Sequence, residues 1–370
     1  MHGLPCANGS IRMSVLDRFG AAGLSGLLGL FLLGSPIGAE LPDGVRILVG
    51  GSTTGKDPDT AKTGDLRYPV GIDFDRRGNA WIVELSGGRV LGLDRSGILF
   101  AVAGTENGGY AGDGGPAKKA SFNHLHNLAI GPKGQCYLSD SSNNCIRVID
   151  AKTGQVDTFA GALQAGFAGD GDDRKNARFR EPICVTLTPD AKNLLIADIR
   201  NFRIRQIDLA TGRVETLAGT GKRGIPVEGA LGRESSLLDP RAVAADSRGN
   251  VYILERAGHV LRMIDTRGRL YTVAGSGEKG FRDGPAAEAA FYEPKHMCVD
   301  PQDRVYIADD KNNAIRLYDP QRGVVETVLG GAGEEAVLKG PHGVCFHAGK
   351  LFVVDSGHNR VLVMVLPKTE

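Results

Sequence analysis

The sequence has almost no net charge, and this scarcity excludes one class of partner. Its 370 residues carry 44 lysines and arginines against 43 aspartates and glutamates, a formal charge of +1. Nucleic-acid binding calls for a concentrated basic face, so we expect no nucleic-acid partner. The hydrophobic share of 41% is ample for a core, and 53 glycines indicate many tight turns between short elements. These values predict a soluble globular protein.

The sequence also has few long apolar runs, and the most apolar one is AAGLSGLLGLFLLG at residues 21–34. Arginines precede this run, and the small residues after it permit cleavage following Ala39, as in a signal peptide. The run is too short to span a bilayer comfortably, and no cysteine directly follows it to accept a lipid. We expect residues 1–39 to be a signal peptide, with Met13 as an alternative start. The mature protein would be exported to the periplasm, cell envelope or medium, without stable membrane insertion; an uncleaved anchor is the alternative.

Cysteines are few, and their number limits disulfide formation. Cleavage would remove Cys6 and leave an odd number, so the rest cannot all be paired. Small-residue positions favour buried thiols for these five, which are Cys136, Cys145, Cys184, Cys298 and Cys345. Cys136 and Cys145 fall on neighbouring strands, in a register that does not place them opposite each other.

What the sequence does contain is one phrase in six copies, beginning at Tyr68, His124, Glu181, Asp239, Glu293 and Gly340. Each copy holds short runs rich in Val, Ile, Leu and Tyr between Gly, Asp, Asn or Pro turns, which is typical of a four-stranded meander. A repeat of roughly 55 residues predicts propeller blades. The last copy lacks its fourth strand, and VRILVGG at residues 45–51 resembles the missing piece. We therefore predict one all-β domain over residues 41–370, a six-bladed β-propeller closed by its N-terminal strand.

The repeated phrase carries a family resemblance. YIADDKNNAIRLYD, YLSDSSNNCIRVID and LIADIRNFRIRQID resemble the hallmark of NHL repeats. GYAGDGGPA at residues 109–117 is similar to the loop between blades in many secreted bacterial NHL proteins. The resemblance covers essentially the whole mature chain and implies the propeller fold. It does not select a function, because propellers serve as binding proteins and as enzymes.

Three glycine-rich stretches imitate nucleotide-binding motifs. GGSTTGKD at residues 50–57 nearly matches a phosphate loop, but Asp57 replaces the hydroxyl that binds magnesium and Pro58 follows. GTGKRG at residues 219–224 and GSGEKG at 275–280 match the dinucleotide fingerprint, yet both occupy the exit from one blade to the next. Since no crossover helix follows, we exclude a Rossmann domain.

The best functional candidates are residues that differ between copies at one position. The residue after the usual proline of each innermost strand should face the channel mouth, and these residues are Val70, His126, Ile183, Arg241, Lys295 and His342. Four of the six are basic or titrate near neutrality, so His126, Arg241, Lys295 and His342 predict a pocket for an anionic group such as a carboxylate, sulfate or phosphate. A hydrated channel entrance without function is the equal alternative. His347 and His358 fall in turns, and His347 should lie too far from His342 to share a metal.

A second set of residues repeats without variation and therefore predicts a structural role. A carboxylate ends the second strand of every copy, at Glu84, Asp140, Asp198, Glu255, Asp309 and Asp355. We expect these side chains to accept turn N–H groups or to pair with arginines of the third strand. A catalytic ring is the alternative. Among the aspartates of the loops between blades, only Asp170, Asp172 and Asp173 are dense enough to consider for Ca²⁺.

One enzyme family gives a further resemblance. Peptidyl-hydroxyglycine amidating lyase is a similar six-bladed propeller whose zinc is held by histidines at the channel, and His126 and His342 match that position. By this resemblance they would hold Zn²⁺, with His124 or His296 as an additional ligand. Arg241 departs from the pattern, and the family's catalytic tyrosine and arginine have no counterpart here.

These observations favour an exported binding module, monomeric, that holds a protein partner or a small anionic ligand on the face bearing the loops between blades. The first alternative is a metal-dependent lyase or hydrolase that uses His126, His342 and Arg241. The second is a purely structural scaffold of the cell envelope.

Overall fold

A computed structural model describes residues 40–51, 65–331 and 337–366. The expected signal peptide, and the phosphate-loop look-alike beyond Gly51, lie outside these residues. Six antiparallel sheets are each built mainly from four strands, and the innermost strand of each contacts the innermost strands of its two neighbours, closing a ring. The described residues contain no α-helix. The predicted six-bladed β-propeller is confirmed.

The first three blades run in chain order. Blade 1 contains β2 (Pro69–Phe74), β3 (Ala80–Glu84), β4 (Val90–Leu93) and β5 (Leu99–Ala103). Blade 2 contains β7 (Leu125–Ile130), β8 (Gln135–Asp140), β9 (Cys145–Asp150) and β10 (Gln155–Gly161), with the short β6 (Gly115–Pro116) at its outer edge. Blade 3 contains β11 (Pro182–Leu187), β12 (Asn193–Asp198), β13 (Arg203–Asp208) and β14 (Val214–Ala218).

The other three blades repeat this order. Blade 4 contains β15 (Pro240–Ala245), β16 (Val251–Glu255), β17 (Val260–Ile264) and β18 (Leu270–Ala274). Blade 5 contains β20 (His296–Val299), β21 (Val305–Asp309), β22 (Ala314–Asp319) and β23 (Val324–Gly330), with β19 (Gly284–Pro285) at its outer edge. Blade 6 contains β24 (Pro341–His347), β25 (Lys350–Asp355) and β26 (Arg360–Val365), completed by β1 (Val45–Gly50).

The helices are single 3₁₀ turns of three residues. They are Ala117–Lys119, Ser141–Asn143, Arg174–Asn176, Ile199–Asn201, Gly232–Glu234, Asp310–Asn312 and Ser356–His358.

Blade 6 is closed by the N-terminal strand, as predicted. Strand β1 pairs antiparallel with β26, from Val45 opposite Met364 to Gly50 opposite Arg360. Behind this pairing, Val49 and Val361 of blade 6 pack against Ile82 and Leu91 of blade 1 in one apolar cluster. Each such buried side chain stabilises the fold by about 2 kcal/mol. The first and last blades are therefore joined by the same kind of core as the others.

The repeated Asp-x-x-Asn-Asn-x-x-Arg phrase has a physical explanation in blade 5. The fully buried Asp309 accepts N–H bonds from Tyr292 at 2.8 Å, from the Asn312 amide at 2.7 Å and from Arg316 at 2.8 Å. One carboxylate thus joins the incoming loop, the turn and the third strand. The same contact with an arginine and with the backbone N–H before the innermost strand is made by all six carboxylates, Glu84, Asp140, Asp198, Glu255, Asp309 and Asp355.

The second asparagine of the phrase connects successive blades. Asn313 adopts a left-handed conformation with φ 49°, which asparagine tolerates better than most residues. Its side-chain oxygen accepts the N–H of Gly340, the first residue of the next copy, at 2.8 Å. Asn359 makes the equivalent bond to Tyr68 at 2.8 Å, across the junction of blades 6 and 1. The motif therefore specifies contacts within a blade and between blades.

The aspartates considered as calcium ligands in the loops between blades form hydrogen bonds within the protein instead. Asp170 accepts hydrogen bonds from the buried Arg205 at 2.7 Å and from Thr216 at 2.7 Å. Asp172 and Asp173 accept N–H groups of their own short turn. The described residues hold no group of three or more His, Cys, Asp or Glu side chains placed to bind a metal ion, so the geometry gives the calcium interpretation no support.

Candidate functional site

The candidate site lies at the channel mouth, where an irregularity in four of the six innermost strands presents one side chain. In β2, β11, β15 and β24 the pairing register shifts across the residue that follows the proline, so that residue is the extra one of a β-bulge. Bulges bend a strand and re-aim a side chain, and they are frequent near active sites. The bulged residues are those that differ between copies, Val70, Ile183, Arg241 and His342.

Residues from three alternate blades meet at this mouth. Arg241 of blade 4 donates through Nη2 to Nε2 of His342 of blade 6, at 2.9 Å. The ring of His126, from blade 2, lies 6.2 Å from the His342 ring between centroids. Arg241 and His342 are only 6% and 7% exposed. Three of the four basic residues predicted for the pocket are thus in one place.

Both mouth histidines are neutral near neutral pH. Burial, and after it the Arg241 charge, lowers the pKa of His126 to about 3 and that of His342 well below its usual value. Because the Arg241 guanidinium can only donate, Nε2 of His342 accepts and its proton is on Nδ1, which has no partner among the described residues. The positive charge beside His342 therefore comes from Arg241 and not from the histidines.

Lys295, the fourth predicted residue, lies at the same mouth but carries a charge that is already balanced. Its Nζ is 3.6 Å from Asp310, whose carboxylate also lies 3.8 Å from Lys311. Burial lowers the pKa of Lys295, while Asp310 raises it. Lys295 therefore adds less net positive charge than the sequence suggests.

Arg241 differs from every other arginine in the core. Four arginines, Arg147, Arg205, Arg262 and Arg316, are buried and each contacts two carboxylates. Arg241 is equally buried, yet within the part of the chain that the structure describes it contacts His342 and forms no ion pair with a carboxylate. Burial lowers its pKa to about 10, so it remains charged at neutral pH. It is a buried cation without an ion pair of its own, on which Asp239 and Glu181 act at longer range.

The cavity in front of these residues has a volume of about 210 Å³. The sequence analysis missed several residues of its wall, including Arg200, Arg256 and Glu181. Arg200 and Arg256 are held by acidic partners, Glu181 and Asp239, each at 2.6 Å. The copies also differ at the position directly after the strand-ending carboxylate, which is Arg256 in blade 4 and Asp310 in blade 5. This variation is the sequence signal that could have identified residues of the cavity wall.

The structure brings no zinc site together at the mouth. Nε2 of His342 already accepts from Arg241, and Nδ1 of His126 contacts the Ser141 hydroxyl at 3.0 Å. His124 contacts Ser142 at 2.8 Å, and His296 lies deeper in the channel against Asn127. Within the described ranges, no group of three or more His, Cys, Asp or Glu side chains at the mouth is placed to hold a metal ion.

His347, His358 and the cysteines of the described residues do not line the mouth cavity. His347 stacks on Phe74, with ring centroids 4.3 Å apart, and His358 contacts Asp355 at 2.8 Å. The five cysteines are free, and Cys136 pairs with Ile149 rather than with Cys145. No helix within the described ranges has the length and apolarity needed to cross a membrane.

Comparisons by sequence find similar proteins, although no family model matches the chain. The SUPPRESSOR OF QUENCHING 1 protein of Arabidopsis thaliana is 25% identical over 343 residues, 74% of this chain and 32% of that protein. Human NHL repeat-containing protein 2 is 27% identical over 256 residues, 57% of this chain and 35% of that protein. The chain spans about a third of the length of these relatives.

Solved structures share the fold. A protein of unknown function from Bacteroides thetaiotaomicron superposes with a TM-score of 0.64 at 20% identity, over 87% of this chain and 75% of that one. An auxiliary nutrient binding protein from the same organism gives 0.62 at 15% identity, over 86% and 75%. Virginiamycin B lyase from Staphylococcus aureus gives 0.52 at 13% identity, over 82% and 98%. At these identities the likeness concerns the fold alone.

Proposed function

Because the chain is an NHL-repeat β-propeller, we propose that it is a binding module that holds a small anionic ligand at the channel mouth. The observation that carries the proposal is Arg241, a buried guanidinium without a carboxylate partner among the described residues. Removing a charge from water costs several kcal/mol unless a counter-charge compensates it. A ligand carboxylate, sulfate or phosphate would supply that counter-charge.

The donors at the mouth fit an anion. Arg241 offers a planar set of N–H groups, which suits the oxygens of a carboxylate or phosphate. His126 and His342 line the same cavity as neutral polar side chains. The cavity of about 210 Å³ is smaller than the roughly 300–1,000 Å³ pockets that hold drug-sized molecules, so the ligand is small.

Anion-dependent stability tests the proposal directly. In a buffer without other oxyanions, sulfate, phosphate or succinate should raise the melting temperature of the wild-type protein. A ligand at a hundred times its Kd stabilises by about 2.7 kcal/mol. Comparing the three anions distinguishes an inorganic oxyanion from an organic carboxylate as the preferred chemistry.

The Arg241→Met variant should lose this response while its own stability without anion is unchanged or higher, because a buried unpaired charge has been removed. Arg213→Gln is the matched control, since Arg213 is exposed and pairs only with Glu215. It should respond to anions as the wild type does. An equal response in Arg241→Met, or no response of the wild type to any of the three anions, contradicts the proposal.

A further inference from the structure

A second feature lies at the opposite end of the blades, at the junction of blades 6 and 1. There a groove of about 570 Å³ opens between the two sheets, and we call it the junction groove. Its floor is apolar and includes Phe74 and Leu93 of blade 1 and Phe352 of blade 6. These side chains are the outer end of the apolar cluster that joins the two blades. The groove is thus an open end of the core.

The rim of the junction groove is strongly basic. Five cationic side chains line it, Arg46 on β1, Arg76 and Arg77 in the β2–β3 turn, Arg95 in the β4–β5 turn and Lys350 on β25. Four of the five are exposed, and within the described ranges none makes an ion pair. Asp94, an acidic residue of the lining, is already engaged by Ser96 and the N–H of Ile98. In a chain with a net charge of only +1, this is a concentrated positive patch.

Two other blades pair the arginine of the equivalent turn. In the β15–β16 turn of blade 4, Arg248 lies 3.5 Å from Asp246 and 3.3 Å from Asp303. In the β20–β21 turn of blade 5, Arg304 pairs with Asp300 at 2.7 Å. In blade 1, Asp75 stands at the same position and accepts the backbone N–H of Arg77, but within the described ranges neither Arg76 nor Arg77 forms an ion pair. Positions that depart from the repeat are where a specific task is expected, since the scaffold needs only the common pattern.

We infer that the junction groove binds an acidic peptide that inserts one apolar side chain between blades 6 and 1. Exposed arginines from two turns and a strand offer separate contacts to several carboxylates, whereas one phosphate would need buried donors converging on a point. The apolar floor lies below the charged rim, so the occupant needs an apolar group that reaches down. This site is independent of the anion pocket at the channel mouth.

Fluorescence anisotropy tests this inference with the full chain. The probe is a labelled peptide of aspartates and glutamates around a single leucine, at low salt. Reversing both charges in Arg76→Glu/Arg77→Glu should weaken binding by roughly tenfold or more. Replacing the leucine of the peptide by glycine should weaken binding as well, because the apolar contact is lost. Both residues are exposed, so the fold should not depend on them.

Arg267→Glu is the matched control, because Arg267 is an exposed arginine in the β17–β18 turn of blade 4. It should bind the peptide as the wild type does. Equal loss in Arg267→Glu, equal binding of the glycine peptide, or no binding of the leucine peptide would each overturn the inference. So would binding of ATP or of anionic vesicles that depends on Arg76 and Arg77 and excludes the peptide.

Discussion

The buried arginines of blades 2 to 5 should contribute strongly to stability, and Arg316 of blade 5 gives the sharpest test. Its side chain is fully buried and donates to Asp309 at 2.8 Å, to Asp283 at 2.6 Å and to the carbonyls of Ala290 at 2.9 Å and Arg282 at 2.7 Å. Removing one partner of a buried ion pair costs about 3–5 kcal/mol, because the other charge remains buried. We therefore expect Arg316→Ala to lower the free energy of unfolding by about 4 kcal/mol.

The matched control lies in the same blade. Arg322 forms an ion pair with Glu326 at 2.7 Å, but the two side chains are 58% and 45% exposed. Exposed ion pairs contribute about 0–1 kcal/mol to stability, so Arg322→Ala should hardly change the free energy of unfolding. Urea unfolding followed by circular dichroism and by fluorescence of Trp81, the lone tryptophan, measures both variants. The variants are compared under conditions in which circular dichroism and fluorescence report the same unfolding transition.

A double variant separates the lost charge pair from the lost packing. Arg316→Met/Asp309→Leu removes both charges and leaves apolar side chains in the same space, next to the Phe291 ring. Such replacements are often neutral or stabilising, but here the N–H groups of Tyr292 and Asn312 lose their acceptor, so the double variant should regain only part of the stability that Arg316→Ala loses. Equal effects of Arg316→Ala and Arg322→Ala, or a double variant less stable than Arg316→Ala, would refute the reasoning.

Two other predictions concern backbone and pH. Gly219→Ala should cost about 3 kcal/mol or more, since φ is +98° and a Cβ would overlap the carbonyl oxygen of Phe202. Gly277→Ala, at φ +84° in open space, should cost about 1 kcal/mol by the same denaturation assay, and equal costs would contradict the steric argument. A bound anion should raise the lowered pKa of His126, so the complex takes up protons and sulfate affinity should rise as the pH falls from 7.5 to 4.5. Calorimetry that finds an affinity independent of pH over this range would contradict this coupling.

The fold was predictable because its structural contacts recur along the sequence: the strand-ending carboxylate occurs in all six copies, and the full Asp-x-x-Asn-Asn-x-x-Arg phrase occurs in blades 2 and 5. Asp309, Asn312, Asn313 and Arg316 form one short phrase, and their hydrogen bonds explain why the phrase recurs. The closing strand was predictable for the same reason, since residues 45–51 resemble the final strand of another copy. Repetition supplies the long-range information that a single unrepeated segment lacks.

Partners that approach from loops could not be predicted in this way. Asp113 lies 34 residues before its partner Arg147, and nothing in the spacing indicates that the loop folds back to 2.6 Å from it. An aspartate beside glycine therefore suggested only a turn, although the Asp113 side chain neutralises an arginine. At the mouth, the sequence placed Arg241 and Lys295 at equivalent positions. It did not indicate that Asp310 balances the charge of Lys295, whereas no carboxylate among the described residues forms an ion pair with Arg241.

The channel interior strengthens the case for binding over transport through the ring. Nδ2 of Asn127, in blade 2, donates to Nε2 of His296, in blade 5 on the opposite side, at 2.8 Å. Burial, and after it the Arg241 charge, lowers the pKa of His296 to about 4, so the ring stays neutral and keeps its acceptor at neutral pH. Asn127 and His296 line the cavity of about 410 Å³ at the other end of the channel, which shares no lining residue with the mouth cavity. Because this hydrogen bond crosses the channel, we expect a ligand beside Arg241 to enter and leave by the mouth.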